Sequence, residues 1–321
     1  GRGIDISTQG SISIANMNIY NSTHGLNLIN SSGTGGVTVS NVELSSNSVQ
    51  DVNVQSHGAV SLSGVTVTNP VSAVVINNIF TTPKTVTIKN LYIADATSTG
   101  LEVTSSGSIS LSGVTLYNIT YPSAVRLDNT YGTSGGITIT NSSVSNTSGS
   151  GFFLTSNGNI SLSGVSSGDT AGYGIYIDNN DLYARTITLK DVSVDDTGTD
   201  GIRLEGGGAI TLTNLFVKHV SGIYAVYVSN GAANVTVNRT GSGQNTITDN
   251  DYSGLFIRTN GAVSVDHLVA QNNNNGAALD VDNQAGSGKF TLTNSLFYNN
   301  LDAFIVLTTG AVKLDGVTID S

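Results

Sequence analysis

The sequence predicts an all-β chain wound into a three-faced parallel β-helix of about 13 coils, and three observations predict it. One phrase is rewritten along the chain: "GSISLSGVTLYN" from Gly107 returns as "GSISIANMNIYN" from Gly10, "GAVSLSGVTVTN" from Gly58, "GNISLSGVSSGD" from Gly158, "GAITLTNLFVKH" from Gly208, "GAVSVDHLVAQN" from Gly261 and "GAVKLDGVTIDS" from Gly310. A second series, such as "GVTVSNVELSSN" from Gly36 and "TITLKDVSVDDT" from Thr186, falls between these, so successive phrases lie roughly 22 to 29 residues apart, the period of a solenoid. Within each phrase apolar residues alternate with small polar ones, the period of a strand.

Each coil divides into three strands and three corners. From Gly107, Ile109 and Leu111 point inward with Ser110 outward; Gly113 turns the chain; Val114 and Leu116 repeat the alternation with Thr115 outward. Asn118 begins a second bend, and "AVRLDN" supplies Val125 and Leu127 inward with Arg126 outward. At the first corner Asn41, Asn90, Asn141 and Asn214 alternate with Gly64, Gly113, Gly164 and Gly316, both types being tolerant of left-handed backbone. At the second, Asn21, Asn69, Asn118, Asn146, Asn250 and Asn272 are expected to form an internal amide ladder. Strands this short bury no apolar face alone, so each must pair in parallel with its equivalent one coil away. At a strand spacing of about 4.8 Å, thirteen coils make a rod on the order of 60 Å long. One coil breaks the rhythm, at "NRTGSGQNTITDN" from Asn238 to Asn250, where about five extra residues bulge at the first corner. A propeller fits less well, because its blades need four antiparallel strands in about 40 to 50 residues.

The chain reads as a single β-helix domain over residues 1–321. It opens on "GRGIDIST", a third strand with no strand before it, and closes on "GVTIDS", a second strand with none after it. Without a polar capping repeat at either end, the expectation is a segment of a longer solenoid, or one stacked end to end on further copies.

Composition restricts function. There is no cysteine among 321 residues, which excludes disulfides, thiolate metal sites and a cysteine nucleophile. A net charge of −10 argues against nucleic acid, whose binding rests on basic patches. No apolar run is long enough to span a bilayer, and no signal peptide opens the chain.

A glycine, two inward aliphatics around Ser or Thr, then Asn or Gly before the next strand: this pattern resembles the right-handed parallel β-helix repeats of the pectate-lyase-like superfamily. It is still more similar to the repeat-rich segments of large bacterial surface proteins and adhesins. The resemblance covers the whole chain and implies a right-handed fold and an extracellular or cell-surface location; it specifies fold better than function.

Three surfaces are candidates for binding or chemistry. On the third strand the outward rank runs Glu102, Arg126, Phe153, Tyr176, Arg203, Tyr227, Phe256, Asp280, and aromatic faces alternating with Arg and carboxylates suit a polysaccharide chain. Carbohydrate contacts are therefore expected from Arg126, Phe153, Tyr176, Arg203, Tyr227 and Phe256. Within that face Asp178, Arg203 and Glu205 are the one trio that approaches a catalytic arrangement, yet no Gly-His-Gly or Asn-Thr-Asp motif of a pectate lyase or polygalacturonase surrounds it. On the first strand the outward hydroxyls from Ser13 and Thr38 to Thr291 form a flat array like that of an ice-binding face. The corner "DDTGTDG" offers Asp195, Asp196 and Asp200 as Ca²⁺ ligands, with Asp249 and Asp251 at the same corner two coils on, although neither loop has the spacing of a dedicated calcium loop. No other cofactor is called for, and His24, His57, His219 and His267 share no rank.

With no convergent reactive set, the sequence favours a non-enzymatic structural or adhesive rod segment of an exported bacterial surface protein or extracellular filament, whose partners are further copies or adjoining segments of the same solenoid. The alternative is a polysaccharide-binding or polysaccharide-cleaving β-helix, with the ice-binding face as a third reading.

Overall fold

The aliphatic pairs dictate the fold by where they must go. Ile109, Leu111, Val114, Leu116, Val125 and Leu127 are each at most 1% exposed, while Thr115 and Arg126 between them face solvent. The computed structural model describes residues 1–31, 33–133, 135–179 and 184–320. Every regular element among them is a strand, and no helix is long and apolar enough to cross a membrane.

The chain divides into two compact units, residues 1–158 and 159–321, each a stack of the same coil. In the first unit the third-face strands are Ile4–Ser7, His24–Asn30, Gln50–Ser56, Ser72–Asn78, Leu101–Ser105, Ser123–Asn129 and Ser150–Ser156. In the second they are Ile175–Asn179, Ile202–Gly206, Tyr224–Asn230, Ser253–Arg258, Ala277–Asn283 and Asp302–Thr308. The pairings between coils are parallel and keep like residues in rank, as where Ile109 lies beside Val86 on one side and Ile137 on the other. The described turns number about 12, close to the count expected. Phe152, Phe290 and Phe297 are the largest side chains in the aliphatic core.

The first and second corners turn on single left-handed residues. The first corner carries φ of 50° at Asn41 and Asn90, 46° at Asn141 and 53° at Asn214, alternating with glycines of 62° at Gly64 and 63° at Gly113 and Gly164. Gly107 opens its phrase for another reason: a Cβ there would collide with the Lys84 backbone of the preceding coil. The extra residues of one coil bulge between Val235–Asn238 and Asn245–Asn250, at the first corner as expected, where Asn214 accepts from the Thr240 amide at 2.9 Å.

The second corner corrects one expectation. Asn21, Asn69, Asn118, Asn146 and Asn272 do occupy it with positive φ, but in the coil with the insertion Asp249 takes the place expected of Asn250. The ladder is also external. Asn146 donates to Asn118 at 3.3 Å, Asn118 to the carboxylate of Asp95 at 2.6 Å, and Asn299 to Asn272 at 2.7 Å, all at the surface of the bend. The internal amides lie elsewhere. Asn250, 1% exposed, donates to Asn273 at 2.9 Å, and Asn273 donates to Asn300 at 2.8 Å. A second buried set ends the third-face strands: Asn78 donates to the Gly58 carbonyl at 2.6 Å, Asn230 to Gly208 at 2.7 Å and Asn283 to Gly261 at 3.0 Å. Where Ser or Thr replaces Asn, its hydroxyl takes the amide two residues on, as Ser105 does from Gly107 at 3.0 Å. These bonds satisfy backbone groups that the third corner would otherwise bury unpaired.

Candidate functional site

The outward third-face rank forms as its alternation requires. In the second unit Tyr176 lies beside Arg203, Arg203 beside Tyr227, Tyr227 beside Phe256 and Phe256 beside Asp280. Inward neighbours that are fully buried anchor them: Ile175 and Ile177 on either side of Tyr176, Ile202 and Leu204 around Arg203, Val226 and Val228 around Tyr227. In the first unit Arg126 is exposed between Glu102 and half-buried Phe153.

Side-chain geometry shows what this rank does. The Tyr227 and Phe256 rings stack on each other, 5.3 Å between centroids and 12° between planes. Arg203 covers the Tyr227 ring at 4.2 Å, and the Arg258 guanidinium lies 5.5 Å from the Phe256 centroid. Tyr224 leans against both rings, at 5.3 Å from Tyr227 and 5.0 Å from Phe256, and Phe256 is left only 7% exposed. Tyr173 packs on Tyr176 at 5.3 Å in the same way. The ring faces that would stack on sugar are thus turned along the axis toward protein neighbours.

The charges are likewise engaged. Arg203 donates through Nε to Glu205 Oε1 at 2.8 Å and through a terminal nitrogen to Asp200 Oδ2 at 3.3 Å. The other Glu205 oxygen accepts from the Tyr176 hydroxyl at 3.4 Å, and Asp200 Oδ1 accepts from the Tyr224 amide at 3.0 Å. Asp178 is the register neighbour of Glu205, so the structure does bring the trio Asp178, Arg203 and Glu205 together. Burial, followed by the charges of Glu205 and Asp178, pushes the Tyr176 phenol up to about 12. Burial opposes the Arg203 charge, but Glu205 and Asp200 together outweigh this and hold the guanidinium above its ordinary range. Burial and then the Asp282 charge raise the Asp280 carboxyl. Beside the stack lies an open depression of ≈ 260 Å³ lined by Glu205, Ser229, Asn230, Gly231, Arg258 and Asn260. It is a shallow concavity on the sheet, without the enclosure that small-molecule sites use to exclude water.

The three aspartates considered for Ca²⁺ do not converge on one point. Asp195 binds Lys218 at 3.0 Å and His219 at 2.8 Å, and although burial works against it these two hold its carboxyl below the usual range. Asp196 is the exposed left-handed corner residue, with Asp249 at the same corner two coils on, and Asp200 serves Arg203. Among the described residues no group of three or more His, Asp or Glu side chains gathers as a metal site. The first-face hydroxyls keep rank within each unit, Ser13 beside Thr38 and Thr38 beside Ser61 in the first, Thr188 beside Thr211 and Thr211 beside Thr236 in the second.

Sequence reasoning passed over Tyr173, Tyr224 and the role of Asp200 as an arginine partner. The signal was present in "YGIYI" and "YAVYV", where a Tyr three residues before the outward Tyr is repeated two coils apart.

Comparison with known proteins agrees with this architecture. The family described as "Right handed beta helix region" matches residues 72–240 and 183–320, and the chain belongs to it. The fold is accordingly a right-handed parallel β-helix of the pectate-lyase-like type. Among solved structures the chain is similar to the A-module of the Azotobacter vinelandii mannuronan C-5 epimerase AlgE6, at 11% identity and a TM-score of 0.62, with 97% of this chain and 91% of that one covered. Weaker likenesses are the periplasmic alginate epimerase AlgG, at 12% identity and TM-score 0.38 over 89% and 77% of the two chains, and the Streptococcus pneumoniae surface protein and adhesin PfbA, at 9% identity and 0.26 over 97% and 92%. At these identities the likeness is one of fold. No curated protein matches the chain.

Proposed function

We infer that this chain is a non-enzymatic structural or adhesive segment of an exported bacterial surface protein or extracellular filament. One observation carries the reading: the cluster richest in reactive groups spends those groups on itself. Both Glu205 oxygens, both Asp200 oxygens and the Arg203 guanidinium are bonded within the cluster, and the aromatic faces beside them cover one another. A general base needs its carboxylate presented to a substrate proton, and a polysaccharide enzyme needs a walled cleft to place the sugar. Among the described residues the face from Tyr176 to Asp282 is open and self-paired, which supports cohesion between coils instead. The extracellular location rests on the same reading, since a scaffold of this kind works outside the cell.

The test is turnover. The purified chain is incubated with polymannuronate, polygalacturonate and arabinoxylan, with and without added Ca²⁺, and the products are followed by proton NMR. The expected result is unchanged polymer. Epimerised, unsaturated or shortened product that disappears in Arg203→Ala would establish the competing reading, a polysaccharide-modifying enzyme acting through Asp178, Arg203 and Glu205.

A further inference from the structure

On the second face of the first unit two tyrosines stand apart from the self-paired pattern. Tyr92, in the strand Val86–Ala96, is 42% exposed, and Tyr117, in Thr115–Ile119 of the next coil, is 47% exposed. Tyr92 lies in register with Thr115, and Tyr117 with Ala94, so the two phenols are diagonal neighbours, with Cα atoms about 7–8 Å apart. Unlike the rings of the third face, neither has a ring, cation or hydrogen-bond partner among the described residues. Ala94, outward in register between Thr68 and Tyr117, is only 4% exposed, so side chains beside it close over it. Their backbones are rigid, because Leu91, Ile93 and Leu116 beneath them are at most 1% exposed.

We propose that Tyr92 and Tyr117 form a binding platform for an uncharged polysaccharide laid across the second face of residues 1–158. A phenol face held open to water stacks on the C–H face of a pyranose, gaining apolar burial without ordering a flexible side chain. What surrounds the rings selects the occupant. Tyr92 is flanked in its rank by Thr66 and Thr115, with Ser143 beyond, and Tyr117 is flanked by Ala94 and Ser145. These are hydroxyl or methyl groups without charge, suited to hydrogen bonding sugar hydroxyls. The nearest charge along the Tyr92 rank is Glu43, two coils away, and it is negative. Among the described residues of this unit no cation in either rank is placed to take a uronate, sulfate or phosphate, and the chain's net charge of −10 repels polyanions at longer range. A protein partner is less suited, because interface cores gather contiguous apolar residues and here two rings stand in a field of small hydroxyls.

The site goes beyond the scaffold reading: it gives the scaffold a ligand, on a face other than the one where sequence placed carbohydrate. Native affinity electrophoresis tests it, with hydroxyethylcellulose, galactomannan, arabinoxylan or pullulan cast in the gel and polygalacturonate as the acidic comparison. At least one neutral polymer is expected to retard the protein while polygalacturonate does not. Tyr92→Ala and Tyr117→Ala are each expected to weaken that binding about tenfold, equivalent to about 1.4 kcal/mol. Tyr92→Phe and Tyr117→Phe retain it, since the stacking face survives. Thermal melts of the Phe variants should match the parent, and those of the Ala variants should show the same cooperative unfolding with at most a small shift, because the core beneath the rings is untouched. Absence of retardation by every neutral polymer, unchanged binding by the Tyr92→Ala/Tyr117→Ala double variant, or preference for polygalacturonate would overturn the proposal. Shortening of a bound polymer would contradict the scaffold reading and leave the platform standing.

Discussion

The Arg203 guanidinium carbon lies 4.2 Å above the centre of the Tyr227 ring, on the strand of the next coil. The contact joins two coils through their exteriors, in addition to the backbone ladder and the aliphatic core. Phe256 continues it one coil further on and Glu205 and Asp200 brace it from the side, so the face from Tyr176 to Asp282 behaves as an outer layer of packing.

That outer layer should contribute measurable stability. Phe256 is 7% exposed and touches both Tyr224 and Tyr227, so Phe256→Ala is expected to cost about 3 kcal/mol in urea denaturation. Were the ring there to meet a ligand, the same substitution would leave stability nearly unchanged.

Asp51 gives the first unit a pH dependence. It is fully buried, accepts from Asn47 through one oxygen, and the other oxygen has no hydrogen-bond partner in the structure; burial lifts its pKa from 3.8 to about 6. The folded state therefore holds this proton more tightly than the unfolded state between these values, and the Asp51 contribution to stability falls as pH rises from about 4 to 6, then stays level. The total is about 3 kcal/mol, at 1.36 kcal/mol per unit. Asp51→Asn, which is uncharged at all pH, is expected to raise the melting temperature at pH 7 and to leave it unchanged near pH 3. Equal effects at both values would contradict the assignment.

The left-handed corners make an ordered series of substitutions. Gly113 has φ of 63°, and an added Cβ would crowd the movable Asn90 side-chain oxygen at 2.8 Å while meeting the Asn90 backbone at ordinary contact distance. Gly113→Asn, copying Asn90 and Asn141 in the coils on either side, should be nearly neutral, whereas Gly113→Val should cost about 2 kcal/mol or more by chemical denaturation.

The buried amides should be more sensitive than surface ones. Asn273→Ala leaves the buried Asn250 amide without its partner and removes one of the two bonds to the Asn300 side-chain carbonyl, the Asn273 backbone amide keeping the other, at a cost of about 1–3 kcal/mol. Asn146→Ala, at the exposed second corner, removes one surface hydrogen bond and should cost less, chiefly through its φ of 52°.

Strands, core and register were legible because one rule repeated: Ile109 and Leu111 alternate with Ser110, and the next coil does the same. The slip in position at the second corner, Asn250 for Asp249, falls in the coil that carries the insertion, where spacing no longer counts reliably and Asp tolerates the left-handed corner as well as Asn. The outward rank was legible too, as Tyr176, Arg203, Tyr227 and Phe256 show. What those side chains do was not, since strand period fixes which face a residue leaves from but not whether a ring turns its face to water or to its neighbour. Tyr92 and Tyr117 escaped notice for the converse reason: the second face around them is Ser and Thr, and a diagonal pair makes no rank in sequence.

The central claim is that the chemically rich face holds the coils together, and a double-mutant cycle between Arg203 and Tyr227 measures it most directly. With Arg203→Met and Tyr227→Leu made singly and together, denaturant unfolding is expected to give a coupling of about 1 kcal/mol. A coupling near zero, with both single variants as stable as the parent, would contradict the account and return Arg203 and Tyr227 to the role of ligand-facing groups.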